Sequence, residues 1–196
     1  SVSKAYQIMT EGHYSQLPVV DSDNKLIGLV TEKLLAEVNP SSATSLSVYE
    51  INYLLSKTKV QDIMKTGIFK INKDALIEDA AIIMKENRIS SLPVVEGDNY
   101  LAGIITRTDI FKAFIDIMGV KATGTRIAIT TEDKVGVLAD ITSILAQHNI
   151  NIRNITDISE NGKSEITIKV RSLDATAAVE DIKAKGYNVT SVITVH

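Results

Sequence analysis

The chain repeats itself. An offset of 75 residues sets MTEGHYSQLPVVDSDNKLIGLVTEKLLAEV (9–38) on MKENRISSLPVVEGDNYLAGIITRTDIFKA (84–113) without a gap, and twelve of the 30 positions are identical. The shared residues include Leu17-Pro18-Val19-Val20 with Leu92-Pro93-Val94-Val95, Asp23-Asn24 with Asp98-Asn99, Gly28 with Gly103 and Thr31 with Thr106. Chance does not produce such a match. Residues 1 to about 118 are therefore a tandem duplication, and the fold of one unit constrains the fold of the other.

The second copy displays the whole unit. IFKI (68–71), after the Thr66-Gly67 turn, predicts a short strand, and Asp74 is placed to cap a helix with Ile77, Ala80, Ala81 and Met84 on one face. LPVVE and YLAGIIT predict two strands joined through Gly97-Asp98-Asn99, a hairpin-turn composition. A last helix is predicted from about Arg107, with Ile110, Phe111, Phe114 and Met118 at helical spacing and Gly119 as its stop. Each unit thus reads β-α-β-β-α. Ser1 aligns with Leu76, already inside the helix, so the first unit's front strand is expected to be absent from this chain. Between the copies, NPSSATS reads as loop, and SVYEINYLLSK as an amphipathic connector helix with a Ser47–Glu50 capping box and Ile51, Leu54 and Leu55 on its apolar face.

Beyond Gly119 the pattern changes. TRIAITT alternates as a strand, DKVGVLADITSILAQHN predicts a helix capped by Asp133 with Val135, Leu138, Ile141, Ile144 and Leu145 inward, and INIRNITDI and SEITIKV flank a hairpin turn at Asn161-Gly162. Asp174 is placed to cap a helix that buries Ala178, Val179 and Ile182 and stops at Gly186, before a final strand NVTSVITV. The order β-α-β-β-α-β is that of the ferredoxin-like split βαβ arrangement. Its helices cover one sheet face, and an uncovered second face favours self-association.

Composition narrows the function classes. The net charge is −3, with no basic concentration that would mark nucleic-acid binding. There is no cysteine, and His13, His148 and His196 are far apart, so the residues predict no metal site. No apolar run reaches the ~18 residues that argue for a membrane helix, and a cytoplasmic location is the default expectation. No nucleophile-elbow, P-loop or dinucleotide glycine motif occurs.

The duplicated LPVV…G-x-x-T unit resembles the cystathionine-beta-synthase (CBS) domain, whose tandem pairs form Bateman modules, and DKVGVLADI with INIRNI resembles an ACT domain. The combination, with the connector PSSATSLSVYEINYLLSKTKVQDIM, resembles the acetoin utilization protein B-type family. The resemblance implies an α+β fold: a first CBS repeat over 1–38, a connector over 39–59, a second repeat over 60–118, a linker over 119–124 and an ACT domain over 125–196. It implies a cytoplasmic, homodimeric regulatory protein, not an enzyme, that senses a small molecule, acts on an unidentified protein partner, and uses neither nucleic acid nor membrane. CBS pairs bind adenosine-containing ligands such as AMP, ATP, S-adenosylmethionine or cyclic di-AMP, and no cofactor or metal is implied. The alternative is a non-catalytic scaffold with degenerate pockets.

The family's ribose-phosphate motif, G-h-h-[ST]-x-x-D, maps onto Gly103, Ile104, Ile105, Thr106 and Asp109, whereas the first copy keeps Gly28 and Thr31 and has Leu34 in place of the acid. Thr106 lies where a strand hands over to a helix whose N-terminus favours a phosphate, with Arg107 adjacent, and Asp109 has the chemistry to accept a ribose diol. Ile68, Leu92 and Pro93 are implied as an adenine wall, with backbone groups at Thr66 and Gly67 reading its edge. The same [ST]-x-x-[DE] spacing is also that of a capping box, and the two roles are compatible. In the ACT unit the resemblance implies an amino-acid site from Asp133, Gly136 and Val137 together with Asn149 and Asn151. Asn149 also suits the end of a helix.

Overall fold

The computed structural model describes residues 1–38 and 47–196. The start of the connector, residues 39–46, expected as loop, lies outside the described residues. The chain divides into two compact units, Ser1–Ile110 and Phe111–His196.

In the first unit, α1 (Val2–Gly12) precedes the hairpin β1 (Gln16–Val20) and β2 (Leu26–Thr31), which leads directly into α2 (Glu32–Val38). Helix α3 (Val48–Lys57) follows, opened by the expected box: Glu50 N–H donates to Ser47 Oγ at 3.3 Å, and Ser47 N–H and Oγ–H donate to Glu50 Oε2 at 2.8 and 2.7 Å. The Ser47 hydroxyl and then its backbone N–H hold the Glu50 carboxyl below the ordinary carboxylate range. Leu55 packs inward, but Leu54 is 47% exposed.

The second repeat supplies β3 (Ile71–Asn72), α4 (Ile77–Glu86), β4 (Ser91–Glu96), β5 (Tyr100–Thr106) and the start of α5 (Arg107–Ile117). The expected IFKI strand shrinks to a two-residue parallel pairing of β3 with β4, because Phe69 stays half-exposed and only Ile71 reaches the core. Asp74 is not the cap of α4: Leu76 occupies that position, and the Asp74 N–H donates to Asn72 Oδ1 within a turn. Ala80 and Met84 are buried as the spacing predicts.

Two small cores carry this unit. One gathers Val2, Ala5, Met9, Val30 and Leu35, the other Ile71, Ala80, Met84 and Leu92. The repeats are joined through equivalent residues. Leu26 N–H donates to the Asn99 carbonyl and Leu101 N–H to the Asn24 carbonyl; Asn24 and Asn99 each send a side-chain amide to the other repeat's strand. Gln16 meets Ser90 and Ser91 in the same way. These exchanged contacts define a pseudo-twofold relation between the repeats. Backbone conformation follows it, with positive φ at His13 and Arg88 (both 54°) and at Asn24 and Asn99 (63° and 70°).

The second unit holds β6 (Gly124–Glu132), α6 (Val137–Gln147), β7 (Ile152–Glu160), β8 (Lys163–Val170), α7 (Thr176–Ala184) and β9 (Asn188–Val195), in the antiparallel order β7-β8-β6-β9. This is the split βαβ topology that the element order predicts. Ile127, Ile129, Ile166 and Ile168 from the sheet meet Ile141, Leu145, Ala178, Val179 and Ile182 from the helices, and most of these side chains are fully buried. The Asn161-Gly162 turn has φ of 53° and 75°, the paired left-handed conformation of a type I′ hairpin.

Helix α6 starts later than expected. Gly136, at φ 97°, is its N-cap, so Asp133 is not the cap and residues 133–135 form a loop; Val135 is fully exposed and Leu138 is 38% exposed. Asp174 is not the cap of α7 either: Ala175 holds that position, and Asp174, one residue ahead, accepts the Thr176 N–H on its Oδ1 at 2.9 Å, which lowers its pKa. The helix-free sheet face is not bare. The Ile117 carbonyl accepts the Asn154 side-chain amide at 3.0 Å, the Thr156 hydroxyl lies 3.6 Å from Met118 Sδ, and Lys169 on that face is only 5% exposed. Within this unit Phe111, Phe114 and Ile117 of α5 are 69, 64 and 60% exposed.

Candidate nucleotide cavity and amino-acid cavity

A cavity of about 470 Å³ opens along the pseudo-twofold interface of the first unit, lined from the first repeat by His13, Tyr14, Ser15 and Gln16. The second repeat contributes Ser90, Ser91, Ile104, Thr106, Arg107 and Thr108. Each element arrives for a local reason. His13 turns the chain out of α1 by adopting a left-handed C-cap, donating its N–H to the Met9 carbonyl, and this brings Tyr14 to the rim. The Ser90 carbonyl accepts the Arg107 N–H at 3.0 Å, tying the start of α5 to the entry of β4.

The strand-to-helix handover at Thr106 is a reciprocal capping box. Asp109 N–H donates to Thr106 Oγ1 at 3.3 Å, while Thr106 N–H and Oγ1–H donate to Asp109 Oδ2 at 2.8 and 2.6 Å. The first copy keeps one arm of this box: Leu34 N–H donates to Thr31 Oγ1 at 3.2 Å. Glu32 stands where Arg107 stands, so the duplicated position also reverses its charge. A guanidinium, an α-helix N-terminus and the hydroxyls of Ser90, Ser91, Thr106 and Thr108 together suit an anionic, hydroxyl-rich ligand.

Of the residues expected at this site, Ile104, Thr106 and Arg107 line the cavity, and Asp109 adjoins it through Thr106. Gly103 precedes Ile104 on β5. Thr66 and Gly67 sit in an exposed bend and Ile68 is half-buried; none of the three lines the cavity. Leu92 is 0% exposed within the second repeat's core and Pro93 is buried, so neither presents a wall to it. The residues that reasoning from the sequence missed are His13, Tyr14, Ser15, Gln16, Ser90, Ser91 and Thr108. One signal was available, because Ser15 and Ser90 are identical across the repeats.

In the second unit the five expected amino-acid-site residues fall into two places. Asp133, Gly136 and Val137 line a cavity of about 260 Å³ with Asp157 and Ser164. Asn149 and Asn151 line a separate one of about 450 Å³ with His148 and Arg171. Asn149, at φ 54°, ends α6, its N–H donating to the Ala146 carbonyl. A third cavity, of about 700 Å³, includes Asp140, Lys185 and Tyr187. There Lys185 Nζ and Tyr187 Oη donate to Asp140 at 2.7 and 2.8 Å; these bonds lower the Asp140 pKa, while burial and then that bond raise the Tyr187 pKa. Among the described residues no cluster of histidine and carboxylate side chains could hold a metal ion, and no helix is long and apolar enough to cross a membrane.

Comparison with known proteins agrees with this architecture. Residues 1–39 and 60–116 match the CBS domain family, and residues 125–187 match the ACT domain family. CBS domain-containing protein CBSX1, chloroplastic, of Arabidopsis thaliana is 34% identical over 134 residues, covering 60% of this chain and 57% of its own length. The uncharacterized protein MJ1426 of Methanocaldococcus jannaschii is 30% identical over 131 residues, 56% of this chain and 78% of that protein. A crystal structure of a putative acetoin utilization protein from Vibrio cholerae is 27% identical, with a TM-score of 0.50 over 61% of this chain and 81% of that one. This chain therefore spans a little over half the length of CBSX1. The chain belongs to the CBS-domain family, as a tandem pair followed by an ACT domain.

Proposed function

We propose that this protein is a regulatory sensor whose CBS pair binds an adenine nucleotide, or a related adenosine ligand such as S-adenosylmethionine or cyclic di-AMP, in the cavity between its repeats. The observation that carries this reading is the placement of Arg107 beside the hydroxyls of Thr106, Thr108, Ser90 and Ser91 at the N-terminus of α5. Arg107 and the helix N-terminus take the phosphate, and Tyr14, 56% exposed at the rim, offers a ring face for the base. A ribose diol at Asp109 competes with Thr106 for the same carboxylate, so binding and capping share one group. The ligand acts as a signal only through a difference in affinity between two arrangements of the protein.

The test is a thermal-shift panel of AMP, ATP, S-adenosylmethionine and cyclic di-AMP on wild type, Arg107→Glu and Asp109→Ala. A ligand held at a hundred times its Kd stabilises a one-site protein by about 2.7 kcal/mol. The reading expects that shift in wild type and its loss in Arg107→Glu; no response to any ligand supports the scaffold alternative.

In the ACT domain, the amino-acid reading narrows to the cavity of Asp133, Gly136 and Val137. Gly136 favours it, since the space a Cβ would occupy there is open to a ligand. Asn149 and Asn151 belong to that site only if a second copy supplies them. Self-association as a homodimer is supported by Ile158 and Ile193, 62 and 52% exposed on the helix-free sheet face. Titration calorimetry with an amino-acid panel on wild type and Gly136→Val checks the site, and sedimentation checks the dimer.

A further inference from the structure

Among the described residues one charged side chain is buried without a partner. Lys169, on β8, is 5% exposed; the other buried polar residues, Ser91, Thr125 and Ser164, all donate hydrogen bonds, but no hydrogen bond or ion pair reaches the Lys169 ammonium. Lysine is almost never buried to this degree unless it is paired. No fully enclosed side-chain nitrogen or oxygen is left without a partner, so the buried part is the aliphatic stem and the ammonium keeps an outlet to solvent.

The sheet determines where that outlet lies. Ile168 and Val170 belong to the core beneath the helices, so Lys169 between them points to the helix-free face. Directly opposite it stand Arg126 on β6 and Asn154 on β7. The Asn154 amide donates to the Ile117 carbonyl and so holds the end of α5 beside the lysine, and Arg153 runs so close to Gly119 that a Cβ there would lie 3.1 Å from Arg153 Cδ. The side chains of Arg126 and Arg153 also make no ion pair among the described residues, and neither does Asp116 in the last turn of α5. Glu165, the acid on the same face of β8, is four residues away, about 13 Å at the rise of a strand. Like charges set directly opposite one another in a sheet are destabilising, so Arg126 and Lys169 face each other with a repulsion that an anion between them would relieve.

We propose that Lys169 and Arg126, flanked by Arg153 and the end of α5, form a binding site for a compact oxyanion, a phosphate or a carboxylate group. The lysine supplies a point charge from a nearly closed slot, and the guanidinium supplies a planar fork of donors for two oxygens of the same group. None of these residues lines the nucleotide cavity or the three cavities of the second unit, so the inference is independent of both ligand readings.

Inorganic phosphate and, separately, succinate are titrated into the chain at fixed pH and ionic strength, with the Lys169 Cε–Hε signal followed by NMR. The expected result is a saturable shift; saturation by phosphate assigns a phosphoryl group and saturation by succinate a carboxylate, and either supports the site. Arg126→Gln, at an exposed position, should raise the midpoint of that titration at least tenfold. The saturating anion should also raise the urea midpoint of wild type more than that of Lys169→Met, which keeps the stem and removes the charge. No shift with either probe overturns the proposal. A shift that does not saturate, or that Arg126→Gln leaves unchanged, means an adventitious ion only and overturns it as well. A Lys169 signal that moves with protein concentration when no anion is added means that an acid of a second copy fills the place, which also overturns it.

Discussion

The two CBS repeats share a backbone and differ in chemistry and surroundings at one strand and the helix that follows it. Left-handed residues recur at His13 and Arg88 and at Asn24 and Asn99, and Ser15 and Ser90 both accept the N–H that opens the last helix, from Glu32 and Arg107. Past that point they diverge. The first copy reads Thr31-Glu32-Lys33-Leu34, half a capping box with an acid at its mouth, whereas the second reads Thr106-Arg107-Thr108-Asp109, a whole box with a cation at its mouth. Duplication has preserved what the backbone needs and released what a ligand would touch. Capping and ligand binding are therefore compatible at Thr106: the threonine hydroxyl accepts the helix N–H in both copies, and the reciprocal acid and the charge at the helix mouth separate them.

The largest expected effect that separates the repeats is steric. Gly28→Val drives a side chain into Met64 and the Lys65 carbonyl and should cost about 1–3 kcal/mol in urea unfolding, whereas Gly103→Val should stay within about 0.5 kcal/mol. Equal costs would erase the difference between a crowded glycine in the first repeat and an open one in the second. Next come the caps: Thr31→Ala and Thr106→Ala should each cost about 1 kcal/mol, since both hydroxyls accept an N–H three residues on. Leu34→Asp should add the missing arm to the first copy and raise its stability by a few tenths of a kcal/mol, an amount on the scale of a single local helix interaction. A loss there would mean that Leu34 serves packing more than its lost acid would serve the cap.

The smallest effect is a titration. Asp98, across from Lys25 of the other repeat, is held below the ordinary carboxylate range by that ammonium's hydrogen bond and then by its charge. Because the folded pKa is the depressed one, the contribution is complete above the unfolded value near 3.8 and disappears as pH falls through the lower folded value. Lys25→Gln should raise the Asp98 pKa, measured by carboxyl NMR, and flatten the acid limb of the stability curve. An unmoved Asp98 would show that the pair does not persist in solution.

Much of this was legible in the sequence because it is local. The Ser47–Glu50 box, the Asn161-Gly162 turn, the Gly119 and Gly186 stops and the duplicated hairpins are written in residues a few positions apart. Three cap assignments failed for one reason: Asp74, Asp133 and Asp174 each sit ahead of the cap position, and the helices begin at Ile77, Val137 and Thr176, after Leu76, Gly136 and Ala175. Gly136, at positive φ, cannot lie inside a helix, and this displaces the start past Val135. The cavity was only half legible. Thr106 and Arg107 announce themselves beside a glycine-led strand, but Tyr14, Gln16 and Ser91 meet across the pseudo-twofold, a juxtaposition that no local spacing records. Leu92 shows another limit of sequence reading, since a residue of the shared motif is buried in the second repeat's core.

The central claim is that the second repeat, and not the first, carries an anion-binding nucleotide site built around Arg107. Isothermal titration of AMP into wild type and Arg107→Glu tests it most directly. The account predicts one site per chain in wild type and at least a tenfold loss of affinity in the variant, about 1.4 kcal/mol. Unchanged affinity in Arg107→Glu, or two equivalent sites per chain, would contradict it.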